Sequence, residues 1–245
     1  GPLARSVADV ALLAAVAGVD FGAAGAWQAP RTRLALRVGI DPDYCSDDLA
    51  APLAERLAEA ATVLRAAGAT LVPVVVPRLA ATGDDWLTLT AHAAATAHAA
   101  TYPARAVDYG PALSALLDYG RSRTPADVTR ADHRVAAYAR DFDALFARVD
   151  VVLSPVLHGP TPSAVEAIGA MRGDGVRRLV AFTAPANLSG CPSLSLPAGR
   201  DTRGVPWGYQ LLGRRGGEAS LCDAGHTLEQ AHPWPRVAPA WAGMG

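Results

Sequence analysis

Leu34-Ala35-Leu36-Arg37-Val38-Gly39-Ile40 places apolar residues at every second position, the period of a strand whose successive side chains point to opposite faces. Beyond it, Asp48 is placed to cap a helix that carries Leu53, Leu57, Ala61 and Leu64 on one face and stops at Gly68. Residues 70–76 then read as a second strand. Strand, helix and strand at this length make a βαβ unit, expected to be right-handed and to lie in a parallel part of a sheet. The fold class that follows is α/β.

Upstream, Pro2 suits a first helical position, Leu3, Val7, Val10 and Ala14 share one helix face, and Gly18 ends the run. A loop with Gly22, Gly25 and Pro30 leads to the strand. Downstream, the sequence predicts helices over 85–106 and 124–148, the second opened by Thr124-Pro125-Ala126-Asp127, whose residue types suit a helix amino end. Val149 to Ser154 is a short apolar run stopped by Pro155, the pattern of a buried strand. After a Pro/Gly/Ser-rich passage over 155–175 come strands over 193–196 and 207–212, a helix over 218–231 and a proline-rich, irregular tail. No internal repeat or low-complexity linker interrupts residues 1–245, which points to a single domain.

Composition narrows the function. The hydrophobic content of 51% fills a sizeable core, and a net charge of -1 gives no electrostatic reason for a nucleic-acid or anionic-membrane partner. The apolar stretch from Val10 to Val19 is short of the ~18 residues of a transmembrane helix, and no charged segment precedes it as a signal peptide requires, so the reading is cytoplasmic. Cys45, Cys191 and Cys222 are widely spaced, which argues for reduced structural thiols over a disulfide framework or a zinc site. The six histidines never sit three or four apart, and GxSxG, HExxH, CxxC and GxGxxG are all absent, so no metal and no cofactor is expected. Asp132-His133 is a weak acid/base pair, because adjacent helical side chains diverge. All 22 residues counted as Lys+Arg are arginine, so this chain has no lysine to serve as base.

Three ordered segments carry more. Gly1-Pro2-Leu3-Ala4-Arg5-Ser6-Val7-Ala8-Asp9 resembles the closing portion of the amidase signature. Phe182-Thr183-Ala184-Pro185-Ala186-Asn187-Leu188-Ser189-Gly190-Cys191-Pro192, continuing to Pro197-Ala198-Gly199, is similar to that family's carboxy-terminal Thr-x-Pro-x-Asn-Leu-x-Gly-x-Pro pattern. Gly204-Val205-Pro206-Trp207-Gly208-Tyr209-Gln210-Leu211-Leu212-Gly213, with the helix and Pro233-Trp234 after it, resembles the family's last strand, last helix and ending. The resemblance spans nearly the whole chain and is weakest over 77–148, where such families vary their substrate-facing helices.

The resemblance implies a mixed β-sheet flanked by helices and a Ser-Ser-Lys mechanism: a serine nucleophile, a second serine in a cis peptide, a lysine base and a backbone oxyanion hole. Those parts are expected upstream of Gly1-Pro2, so this chain alone is expected to be inactive and to hold no catalytic residue. Ser193 and Ser195 alternate along a strand with no base beside them and are not nucleophile candidates. What remains is scaffold and substrate pocket, with Thr183, Asn187 and Gln210 as candidate substrate contacts that also suit bonding to their own backbone. Arg5 and Asp9, one helical turn apart, suggest an ion pair or backbone tie. The implied partners are a small-molecule amide and the upstream catalytic half, with a homodimer as a further arrangement. Glutamyl-tRNA amidotransferases tend to carry an acidic residue three before the threonine of the second motif. Val180 stands there instead, which favours a general amidase acting on an uncharged or aromatic amide. The competing readings are a pseudo-enzyme that completes a partner's site, a noncatalytic α/β binding module, and a glutamyl-tRNA amidotransferase-like fragment.

Overall fold

The computed structural model describes residues 1–21, 27–28, 33–46, 48–78, 82–170 and 175–235. The chain divides into two compact units, a sheet unit of Gly1–Val76, Asp143–Thr161 and Cys191–Gly245, and a helical unit of Pro77–Phe142 and Pro162–Gly190.

Among the described residues the sheet unit has five strands: β1 (Arg37–Ile40), β2 (Thr70–Pro73), β3 (Val151–Pro155), β4 (Ser193–Arg200) and β5 (Pro206–Gly213), in the order β2-β1-β3-β5-β4. β1 pairs parallel with both β2 and β3, while β5 runs antiparallel to β3 and β4, so the sheet is mixed. The βαβ expectation holds, with a helix between β1 and β2. All of β3 is buried, as expected of the run Val151-Val152-Leu153, whereas edge strand β4 alternates, burying Leu194, Leu196 and Ala198 and exposing Ser193, Ser195 and Pro197. Asp150 ties the start of β1 to that of β3: it accepts from Arg37 N at 2.7 Å and from the Arg37 guanidinium at 2.9 Å.

Helices α1 (Val7–Val16), α3 (Ala51–Ala66) and α10 (Glu218–Ala231) belong to the apolar core of this unit. Val7 and Ala11 from α1, Leu53, Leu57 and Leu64 from α3, and Leu221, Ala224 and Leu228 from α10 join Leu153, Leu194 and Leu211 of the strands. Gly18 and Gly68 follow the two earlier helices with φ of 91° and 107°, the left-handed turns that stop a helix cheaply only at glycine. α1 begins later than Pro2: Leu3 is 95% exposed and Ser6 is the cap, its Oγ accepting from Asp9 N at 3.1 Å. Asp9 in turn accepts from Ser6 Oγ at 2.7 Å, so its partner is the cap and not Arg5. A short helix α2 (Pro42–Ser46) precedes Asp48, which does not occupy the cap position of α3: it turns with φ 62° two residues earlier, and the cap position is Ala50, with Pro52 in the first turn. The glycine and proline loop expected before β1, with Gly22, Gly25 and Pro30, lies outside the described residues.

The helical unit contains α4 (Thr82–Ala97), α5 (Pro111–Arg121), most of α6 (Pro125–Phe146), α7 (Ala164–Ala170), α8 (Gly175–Val180) and α9 (Ala184–Ser189). Thr124 and Asp127 form a reciprocal capping box at the start of α6: Thr124 N donates to Asp127 at 2.9 Å, and Asp127 N donates to Thr124 Oγ1 at 3.2 Å. The helix expected to reach residue 106 ends at Ala97, and α5 follows a 3-10 turn at Ala106–Asp108. α7, α8 and α9 occupy a stretch whose composition suggested loops. Asp132 and His133 are both exposed on α6. Among the described residues no helix is long and apolar enough to cross a membrane.

Candidate functional site

The strand register places Gln210 of β5 opposite Ser154 of β3 on one side and Ser195 of β4 on the other. Directly opposed residues share a sheet face, so Ser154, Gln210 and Ser195 form a polar row across three strands. Their neighbours Leu153, Leu211, Leu194 and Leu196 point to the other face, into the apolar core. Gln210 is 1% exposed, and its Nε2 donates to the carbonyl of Pro155 at 3.2 Å. Ser154, fully buried, donates from Oγ to the same carbonyl at 3.4 Å. A buried amide needs partners, and the Pro155 carbonyl fixes which way the Gln210 head group points.

Thr183 and Asn187 share one short element. Thr183 is the residue before α9, its N–H donating to Val180 O at 3.1 Å and its Oγ1 at the long distance of 3.5 Å to the same oxygen. Asn187 lies one turn further along α9 and is exposed. The helix closes with Ser189 Oγ donating to Pro185 O at 2.7 Å and with Gly190 at φ 69°. Gln210 belongs to the other unit. Val180, at the end of α8, offers this turn a carbonyl and no carboxylate.

Neither the strand serines nor the buried thiol of Cys222 is an activated nucleophile. Ser193 and Ser195 are exposed strand residues. The Cys222 thiol is pushed up to about 12, chiefly by burial and further by Asp223 and Glu218, so it stays protonated at neutral pH. Cys191 is a second buried thiol, and the side chain of Cys45 lies outside the described residues. Burial alone pushes the Tyr209 phenol up to about 12. Sequence reasoning did not anticipate Ser154 and Pro155 as partners of Gln210; an isolated serine before a proline carries no signal until the register is known.

Residues 1–222 match the family model described as Amidase. The chain is similar to the putative amidase AmiD of Mycobacterium bovis, 37% identical over 150 residues that make up 59% of this chain and 31% of that protein. It is also similar to a glutamyl-tRNA(Gln) amidotransferase subunit of Gluconobacter oxydans, 33% identical over 271 aligned positions covering 94% of this chain and 53% of that one. Among solved structures, 6-aminohexanoate cyclic dimer hydrolase superposes with a TM-score of 0.75 at 25% identity, over 94% of this chain and 54% of the hydrolase. The chain spans about half the length of the amidotransferase relatives that it matches.

Proposed function

This chain belongs to the amidase family, and from that premise we propose that it is the pocket-bearing, carboxy-terminal part of an enzyme that hydrolyses a carboxylic amide to the acid plus ammonia or an amine. One observation carries the reading: a family match over residues 1–222 in a chain with no lysine. The family's Ser-Ser-Lys chemistry then has to come from the rest of the enzyme. There, a serine attacks the amide carbonyl, the lysine and second serine pass its proton to the leaving nitrogen, and water clears the acyl-enzyme. This chain contributes shape and fixed hydrogen-bonding groups, with Thr183, Asn187 and Gln210 as the substrate contacts. Holding the carbonyl at the attack angle is itself a large part of catalysis, because it replaces a bimolecular encounter with a positioned one.

In this reading the two units act as parts of one amidase domain in the cytoplasm, with a homodimer as a further arrangement of the whole enzyme. A second reading is a glutamyl-tRNA amidotransferase-like fragment, favoured by relatives of that kind that cover 94–96% of the chain. Val180 weighs against it, since an apolar side chain offers nothing to glutamine's ammonium group. The test is ammonia and amine release from aliphatic and aromatic amides and from glutamine, by the purified 245-residue chain alone and mixed with an expressed amino-terminal half of a relative. The chain alone is expected to match the blank and the mixture to hydrolyse aromatic amides. Turnover by the chain alone sinks the division of labour, an inactive mixture supports a noncatalytic binding module, and a strong preference for glutamine supports the amidotransferase reading.

A further inference from the structure

The crevice outside the carboxyl ends of β1 and β3 is a second place with the chemistry of a binding site. In the order β2-β1-β3 the connection leaving β1 goes to one side while β3 flanks it on the other, so the chain diverges there. Open α/β sheets hold ligands at such switch points. A cavity of about 540 Å³ opens at this point, a size typical of small-molecule sites. Its walls include Ile40 at the end of β1, Leu153 in the middle of β3, and Ala54, Leu57 and Ala58 of α3. Ala54 and Ala58 stack on one helix face and end at Cβ, leaving a trough that longer side chains would fill.

Asp41 lines the same cavity and is 4% exposed. Its Oδ1 accepts from Tyr44 N at 3.0 Å and its Oδ2 from Val76 N at 2.7 Å. These bonds orient the carboxylate without neutralising it, and among the described residues no arginine forms an ion pair with it. A buried anion beside an apolar trough is complementary to a cation on an apolar body, because each oxygen keeps a lone pair for a further donor.

We propose that this crevice binds a small protonated amine carrying about one ring of apolar surface. The ammonium donates to the Asp41 carboxylate, and the apolar body lies on Ala54, Leu57 and Ala58. Leu153 points to the sheet face opposite Ser154 and Gln210, so this site is separate from the polar row, and it stands whether or not the amide reading does.

The experiment is a titration of the isotope-labelled 245-residue chain with phenethylamine, followed by amide NMR, with toluene and phenylacetate as comparison probes. Saturable shifts confined to residues around Ile40, Ala54 and Ala58 are expected, with phenylacetate inert and toluene about tenfold weaker, a difference of about 1.4 kcal/mol. Ala58→Leu, at an exposed helical position, should abolish binding with the fold intact. Asp41→Asn, which keeps an acceptor for Tyr44 N but gives up the one for Val76 N, should weaken phenethylamine at least about tenfold, and unchanged toluene binding is the readout that the crevice itself is intact. Equal binding of toluene and phenethylamine, full binding by either variant, shifts centred elsewhere, or no saturation would each overturn the proposal.

Discussion

Each of the two units is stabilised internally by different means. The sheet unit buries a continuous apolar core, to which strands and helices contribute large aliphatic side chains such as Leu53, Leu64, Leu153 and Leu211. The helical unit also buries Leu117, Tyr138 and Phe142, and adds close approach and specific polar ties. Gly120 of α5 meets the Ala91 carbonyl of α4, Tyr102 OH donates to Asp118 at 2.8 Å, and Arg134 on α6 pairs with the buried Asp85 on α4. The first depends on filled volume, and the second adds to filled volume a set of contacts that tolerate little displacement. Damage should therefore scale with atoms removed in one and with geometry in the other.

The largest expected effect is Leu211→Ala in the sheet unit: the side chain is fully buried, and such truncations cost about 3 kcal/mol, to be read as a lower urea midpoint. Gly120→Ala should follow at about 2 kcal/mol; the added Cβ would overlap the Ala91 carbonyl, which is backbone and cannot swing away. Gly110→Ala is the control, with open space around the added Cβ, and should cost only about 0.5 kcal/mol, the preference for glycine at the α5 amino cap. If the two glycine changes cost the same, the close-approach account of the helical unit fails. Thr124→Ala, which removes one side of the α6 capping box, should cost about 1 kcal/mol, with circular dichroism reporting frayed helix and an intact sheet.

The smallest effects concern protons. The Arg37 guanidinium bonded to Asp150 holds its carboxyl below the usual range despite partial burial, and the Thr124 hydroxyl and N–H do the same for Asp127. Both aspartates bind a proton less readily folded than unfolded. Their contributions are therefore complete above the unfolded value of about 4 and fade as pH falls through the lowered folded values. Thermal melts between pH 6 and 3 should show a shallow loss, reduced at the sheet unit by Asp150→Asn and at the helical unit by Asp127→Asn. Cys222 works at the other end: its pKa is raised to about 12, so the stability it lends is complete below the unfolded thiol value of about 8.5 and is lost as pH rises through the folded value. Native-state alkylation of Cys222 at pH 8 should be slow and should become fast in urea.

The same contrast explains what the sequence could say in advance. β1, α3 and β2 were legible because period-2 and period-3.6 patterns with glycine stops are local, and α10 was read to its ends at Glu218 and Ala231. α5 was missed although Gly110-Pro111 marks its start and Leu113 and Leu117 are spaced for a helix. Gly120 reads as a breaker until α4 supplies the surface that requires it. α7, α8 and α9 are too short for periodicity to register, and their helices start among the prolines and glycines that composition assigns to loops. At the candidate site, the residue types Thr183, Asn187 and Gln210 were nameable from motif order. The bond from Gln210 to Pro155 spans 55 residues and depends on the β3 to β5 register. The Asp41 crevice gave no signal, since the burial of that aspartate is set by Val76, 35 residues away.

The pairing of β1 with β3 has a consequence for how the chain comes off the ribosome. Val38 and Gly39 lie beside Val151 and Val152, and the Arg37–Asp150 tie that starts the pair joins residues 113 apart. β2 arrives early and covers one side of β1, but the other side has no partner until α4, α5 and α6 have been made. At about 5–20 residues per second that interval is on the order of ten seconds. For that time the nascent chain carries an uncovered β1 edge, an opening for mispairing that closes only after the helical segment has been translated.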